Sequence, residues 1–259
     1  MTSSDRFSPR AKARLPRHAK TAETIGRRIM GGDLKPGATL PNAALLAREY
    51  KLSRPALREA IKILSGKGLI SAAPRRGTVI RPRSDWNRLD DDVLAWEADE
   101  APTPRFIRDL FELRRMIEPE AAALAAARAT EPGVAEIGLA LDFMARSEVR
   151  SDESVAADLA FHRAILKHSG NDFLATFAPV IGASLRIAIE TQRSAEPSSD
   201  HFLPPHRMIF EAIRDRRPED ARSACLVLLR ESEADALTGL DRQRPTSGGA
   251  LPPTGNVPQ

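Results

Sequence analysis

LSRPALREAIKILSGKGLI, residues 52–70, decides how the first third of the chain folds. Leu57, Ala60, Ile61 and Leu64 recur at helical spacing, so they form one face that seeks a core. Ser53 stands where an N-cap accepts from a first-turn backbone N–H, and Gly66 or Gly68 ends the run. Arg54, Arg58 and Lys62 fall at i, i+4 and i+8 and make a second, wholly cationic ridge, from which Glu59 is expected to point away. Like charges at that spacing repel, so the ridge asks for a partner outside the helix.

The flanking stretches supply the setting. TAETIGRRIMGG, residues 21–32, reads as a helix with Ile25, Ile29 and Met30 on one face and a glycine stop. DLKPGATLP is a turn and an extended approach, and NAALLAREYKL is a short helix that buries Leu45, Leu46 and Tyr50. After the quoted helix, LISAA and TVIRP read as two short strands joined by PRRG. Two short helices, a tight turn and a hairpin make a winged helix-turn-helix, whose second helix enters a major groove by its N-terminal half. Arg54 and Arg58 then face a guanine edge or a phosphate, which a guanidinium fork matches equally. Ser53 and the open N–H groups of the helix start suit a phosphate oxygen. Arg75, Arg76, Gly77 and Thr78 lie on the wing, within reach of the neighbouring backbone or minor groove. Lys62, further along, is a backbone contact or merely solvated.

Charge separates this part from the rest. Residues 1–83 carry 19 Lys and Arg against 5 Asp and Glu, whereas residues 84–259 carry 20 against 30. A net charge of +4 therefore conceals two modules of opposite sign, the basic one suited to a polyanion. With 42% hydrophobic and 29% charged residues the composition is that of a soluble globular protein. No apolar run approaches the ~18 residues of a membrane span, and the N-terminus has no apolar leader segment. Cys225 is the only cysteine, which excludes an internal disulfide and fits the cytoplasm; it reads as a small buried hydrophobe.

The expected organisation is a disordered basic arm at 1–17, the winged helix-turn-helix at 18–82, a linker at 83–88, a helical domain at 89–240 and a disordered tail at 241–259. The helical domain opens with DDVLAWEAD and PRFIRDLFELRRMIEPEAAALAAARA, in which Pro119 predicts a kink or break. Helices are expected to follow at 132–149, 152–169, 172–194, 204–216 and 218–238. The fold class is mainly α, a winged domain joined to an antiparallel helical bundle. Within that bundle, polar residues interrupt apolar stripes. Val155, Asp158, His162 and Ile165 share one face, and His206, Ile209, Phe210 and Ile213 share another. A carboxylate and two imidazoles in a core are costly unless paired or coordinated, and both solutions satisfy the pattern. Arg114 shares a face with Leu110, Ile117 and Ala121, where Glu118 or Asp158 can pair with it. No HExxH and no nucleophile elbow is present, so no enzyme is expected.

LPNAALLAREYKLSRPALREAIKILSGKGLISAAPRRGTVI resembles the DNA-binding domain of GntR-type bacterial transcription regulators. The likeness rests on Leu40-Pro41, Ser53-Arg54, Arg58-Glu59-Ala60, Gly68-Leu69-Ile70 and the glycine wing. Asn42-Ala43-Ala44 departs from it, standing where many members carry an Arg or a Glu-Arg pair. FELRRMIEPEAAALAAARAT, DLAFHRAILKHSGN and PPHRMIFEAIRDRRPEDAR are similar to the helical ligand domain of the FadR subfamily, and together the resemblances span residues 20–237. WNRLDDDVLAWEAD resembles members that control sugar-acid, galactonate-like catabolism. The resemblance implies a divalent metal (zinc, nickel or manganese) held by Asp158, His162 and His206. Leu228 stands where the family has a further histidine; His201 is a substitute. It also implies that Arg114 holds the carboxylate of a small effector, with Arg186 and Arg193 either lining the cavity or on the surface. The implied partner is double-stranded DNA, a palindromic operator bound by a homodimer, with repression relieved by the effector. The alternative is a constitutive DNA binder whose effector and metal site has decayed.

Overall fold

Helix formation begins at Arg17, the last residue of the expected arm, in a computed structural model that describes residues 15–100, 102–148, 151–192 and 203–243. Residues 1–14 of that arm lie outside the described residues. Helix α1 (Arg17–Met30) buries Ala22, Ile25, Ile29 and Met30. Asn42 Oδ1 accepts from Leu45 N–H at 3.0 Å and starts α2 (Ala43–Glu49). Ser53 Oγ accepts from Ala56 N–H at 3.4 Å and starts α3 (Arg54–Gly66), as its position predicts. Leu57, Ala60 and Leu64 are the buried residues of α3; each fully buried leucine adds about 1.5–3 kcal/mol of apolar transfer.

Strands β1 (Ile70–Ala73) and β2 (Gly77–Ile80) pair antiparallel, in a register that sets Ile70 opposite Ile80 and Ala73 opposite Gly77. Arg75 and Gly77, at φ 62° and 83°, close the wing. Gly68 links α3 to β1 at φ 74°, and a Cβ there would stand 2.4 Å from the Asp85 carbonyl oxygen, so only glycine fits. A 3-10 turn at Arg83–Asp85 leads out of this domain.

The remaining helices are α4 (Asp91–Glu100), α5 (Pro104–Arg128), α6 (Glu131–Arg146), α7 (Asp152–His168), α8 (Asp172–Ala175), α9 (Ala178–Gln192), α10 (Leu203–Arg214) and α11 (Pro218–Gln243). Three expectations are corrected here, the first in α2, where Leu45 is exposed rather than buried and Leu46 alone is buried. Of the kink or break expected at Pro119, the break is absent: α5 continues through it from Pro104 to Arg128. The single helix expected at 172–194 is two. Asn171 caps the one-turn α8, and Thr176 Oγ1 donates to the Phe173 carbonyl at 2.6 Å, a local bond that competes with helix propagation.

Apolar packing divides into three clusters. One unites α1–α3 and the strands and takes in Trp86, Val93 and Trp96. A second joins α5, α6, α7, α10 and α11 around Ile137, Phe161, Ile209 and Leu229. The third lies between α4, α5, α9 and α11 and holds Leu94, Ala98, Phe111, Val180, Ala183 and Ile187. Helix α4 thus faces both ways, its Val93 and Trp96 in the N-terminal cluster and its Leu94 and Ala98 in the third. Its buried Glu97 accepts from Arg83 and Arg88 and so ties the connecting segment down. Among the described residues no helix is long and apolar enough to cross a membrane.

Candidate functional site

Two groups of charged residues emerge, one at the surface and one in the core. Ser53, Arg54 and Arg58 are exposed at the N-terminal end of α3, and Arg75, Arg76 and Gly77 are exposed on the wing, with Thr78 half-buried beside them. The side chains of Arg54, Arg58 and Arg75 make no ion pair or hydrogen bond with any described residue. Arg76 differs, because its Nη2 donates to the Gly37 carbonyl at 3.2 Å. The expectation for Glu59 is corrected: it turns towards the ridge and pairs with Lys62 at 2.9 Å, since three residues along a helix bring side chains together. Lys62 is therefore locally neutralised, and the bare part of the ridge is its N-terminal half.

The core group is assembled from four helices. Helix α7, capped by Ser151, sets Asp158 and His162 one turn apart on its inner face. Helix α10 contributes His206, α5 contributes Arg114 and Glu118, and α9 contributes Ser184. Asp158 Oδ1 lies 3.2 Å from His162 Nε2 and 3.3 Å from His206 Nε2. On the other side of its ring, His162 Nδ1 lies 2.6 Å from Glu118 Oε2. Glu118 also takes the Nε edge of Arg114, whose Nη1 donates to Ser184 Oγ at 2.7 Å. Phe161 stands roughly perpendicular to both imidazoles, and Phe111 lies under the guanidinium.

Arg114 is 3% exposed and His206 1%, so their neighbours rather than water decide the charges. Burial opposes ionisation of Glu118, but Arg114 and His162 outweigh it and bring its pKa down to about 2. Burial likewise disfavours a charged His162, yet Glu118 and Asp158 push it up to about 9. Asp158, held by the two imidazoles, falls well below the usual carboxylate range despite its burial. Burial pushes the Cys225 thiol up, in keeping with an inert hydrophobe.

Asp158, His162 and His206 each offer one ligand atom, all within 4.8 Å of one another. Two donors each ~2.1 Å from one ion stand roughly 3.0–3.4 Å apart at tetrahedral or octahedral angles, and the 3.2 and 3.3 Å separations here fit that requirement. Glu118 is outside the ligand set, on the far side of the His162 ring, where a carboxylate fixes ring orientation and leaves Nε2 towards an ion. Leu228 is buried in the apolar cluster and offers no donor. The pattern of the sequence thus brings Asp158, His162, His206 and Arg114 together, and Arg114 takes Glu118, one of the two partners its helix face offers. Glu118 is legible in the sequence only as that partner, and Ser184 not at all. Arg186 faces away from the cluster and pairs with Asp99, while Arg193 and His201 lie outside the described residues.

Comparison with known proteins adds relatives to this geometry. Residues 18–80 match the family of bacterial regulatory proteins designated gntR, and residues 109–231 match the FCD domain. Over 210 residues the chain is 34% identical to the galactonate operon transcriptional repressor of Escherichia coli (strain K12), spanning 81% of this chain and 92% of the relative. Over 219 residues it is 29% identical to the HTH-type transcriptional regulator LutR of Bacillus subtilis (strain 168), spanning 82% and 96%. Among solved structures, Lar, which controls expression of the Listeria monocytogenes agr system, shares the fold with a TM-score of 0.62 at 18% identity, covering 86% of this chain and 98% of that one.

Proposed function

The chain belongs to the gntR family of bacterial regulatory proteins, and on that footing we propose that a small carboxylate of sugar-acid type sets how tightly it holds a palindromic operator. It is a DNA-binding transcription regulator and not an enzyme. It reads DNA as a homodimer, because one α3 spans too few base pairs for useful specificity. Ser53, Arg54 and Arg58 meet the major groove and its phosphates, and Arg75, Arg76, Gly77 and Thr78 meet the flanking backbone. Repression relieved by the effector is the favoured sense.

The charge balance of the buried group carries the effector reading. Asp158, His162 Nε2 and His206 would hold a divalent ion, zinc, nickel or manganese, with Leu228 leaving positions for water or an effector oxygen. Such an ion supplies a concentrated positive charge and open coordination positions. Both imidazoles are then neutral, and Arg114 plus the ion exceed Asp158 plus Glu118 by one positive charge. A buried excess charge is costly, and one carboxylate cancels it. Arg114 supplies the guanidinium: Glu118 takes its Nε and Nη2 and Ser184 its Nη1, so an effector carboxylate would engage it by contesting the bond to Ser184.

Titrating the purified protein–operator complex with sugar acids and short organic acids tests this reading. At least one acid is expected to change operator affinity tenfold or more. Complete indifference would favour the alternative, a constitutive DNA binder whose site has decayed, which the satisfied buried polar atoms and Leu228 also fit. Elemental analysis of His206→Ala tests the ion separately: metal is expected to be lost, and parental metal content would place the site elsewhere.

A further inference from the structure

Helix α9 touches both the buried group and the route to the DNA-binding half. Its Ser184 is buried against Arg114, accepting from Nη1 at 2.7 Å, and donates onward to the Ile181 carbonyl. Two residues later Arg186 projects from the opposite side. Its Nε and Nη2 donate to the two oxygens of Asp99, at 3.0 and 2.7 Å. Asp99 lies at the C-terminal end of α4, and its Oδ2 also accepts from Arg27 Nη2 at 2.9 Å. Arg27 belongs to α1, in the DNA-binding half, and is held further by Glu100 and Glu23. One carboxylate therefore joins a guanidinium from each half of the molecule.

The packing around this node is close on both faces of α4. Leu94 and Ala98 of α4 lie in one cluster with Val180, Ala183 and Ile187 of α9. On its other face Trp96 lies directly on Gly26 of α1, where a Cβ would come within 2.2 Å of the indole. Ser184 and Arg186 are separated by about 3 Å of helix rise, so a shift that frees one displaces the other. The ionic node itself is partly exposed, Arg186 by 46% and Asp99 by 26%, and such pairs add little to overall stability. A link that is weak in energy but definite in geometry can be remade in a second arrangement, as a two-state element requires.

We propose that Asp99 is a positioning residue for DNA binding: through Arg186 and Arg27 it makes the setting of α1, and of α3 packed on it, depend on whether α9 is bonded to Arg114. The proposal rests on the reading that an effector carboxylate engages Arg114 and so contests the bond to Ser184. Its test needs no effector. A double-mutant cycle in the full-length protein compares Ser184→Ala, Asp99→Asn and both together for affinity to a duplex selected on the parent protein. Ser184→Ala is expected to change affinity about fivefold or more in the parent and less than about twofold in the Asp99→Asn background. Arg186→Gln is expected to silence Ser184→Ala in the same way, which guards against a folding defect peculiar to one variant. Equal effects of Ser184→Ala in all backgrounds, or none in the parent, would overturn the proposal. A failed effector screen alongside a non-additive cycle would sink the effector reading and leave the coupling standing.

Discussion

Arg58 and Arg114 carry the same guanidinium in opposite circumstances. The first is exposed at the start of α3 with no partner among the described residues, and the second is 3% exposed between Glu118 and Ser184. Water solvates Arg58, so leaving it unpaired costs little and keeps it available to an external polyanion. Arg114 has no such refuge, and its neighbours must satisfy it before any ligand arrives. An unpaired surface charge is thus open to a partner without demanding one. A buried one speaks first of the fold and only through its surplus of a ligand.

Substitutions can break this contrast at either end. The largest effect is expected from Arg114→Ala, which leaves buried Glu118 with His162 in place of two cationic partners: about 3–5 kcal/mol of unfolding free energy should be lost in urea titrations. A loss under about 1 kcal/mol would mean that the pair is not buried in solution. Arg58→Ala should weaken operator binding by about 1–3 kcal/mol. Its unfolding free energy should stay within about 0.5 kcal/mol of the parent; a matching fall in stability would make the ridge structural. Deleting residues 1–14, which contribute Arg6, Arg10, Lys12 and Arg14, should flatten the salt dependence of binding by about one unit of slope for each phosphate no longer engaged. Equal slopes would deny that segment a role on DNA. Lys62→Ala should be the mildest, below about 0.5 kcal/mol in either measurement, because Glu59 already neutralises it.

Local chemistry makes much of this legible from residues alone. The cap at Ser53, the glycine at position 68 and the strands around the wing obey rules confined to a few neighbours, and each stands where the spacing places it. Asp158, His162 and His206 are visible for a different reason: polar residues on apolar faces of two helices must meet if both faces enter one core. What escapes depends on contacts between elements. Helix α4 has apolar residues on two faces, which a reading by one stripe assigns to a single domain. The break after Ala175 is the exception, because Pro179 in the first turn of α9 has no N–H for the Ala175 carbonyl and so marks it in the sequence. The turn of Glu59 towards Lys62 is within reach of the i, i+3 rule, but the i+4 spacing of Arg54, Arg58 and Lys62 masks it.

The two tryptophans of the chain, Trp86 and Trp96, both sit in the N-terminal cluster, 6% and 5% exposed, beside the junction made by α4. Indole emission from the intact protein therefore samples that junction, and α5 to α11 stay optically silent. Cations lie over both rings, Arg83 at 5.2 Å from Trp86 and Lys67 at 5.6 Å from Trp96, so the spectrum responds to local charge as well as to hydration. The molecule carries its own gauge of how closely its halves are seated: blue emission while they are docked, red-shifted emission once they part.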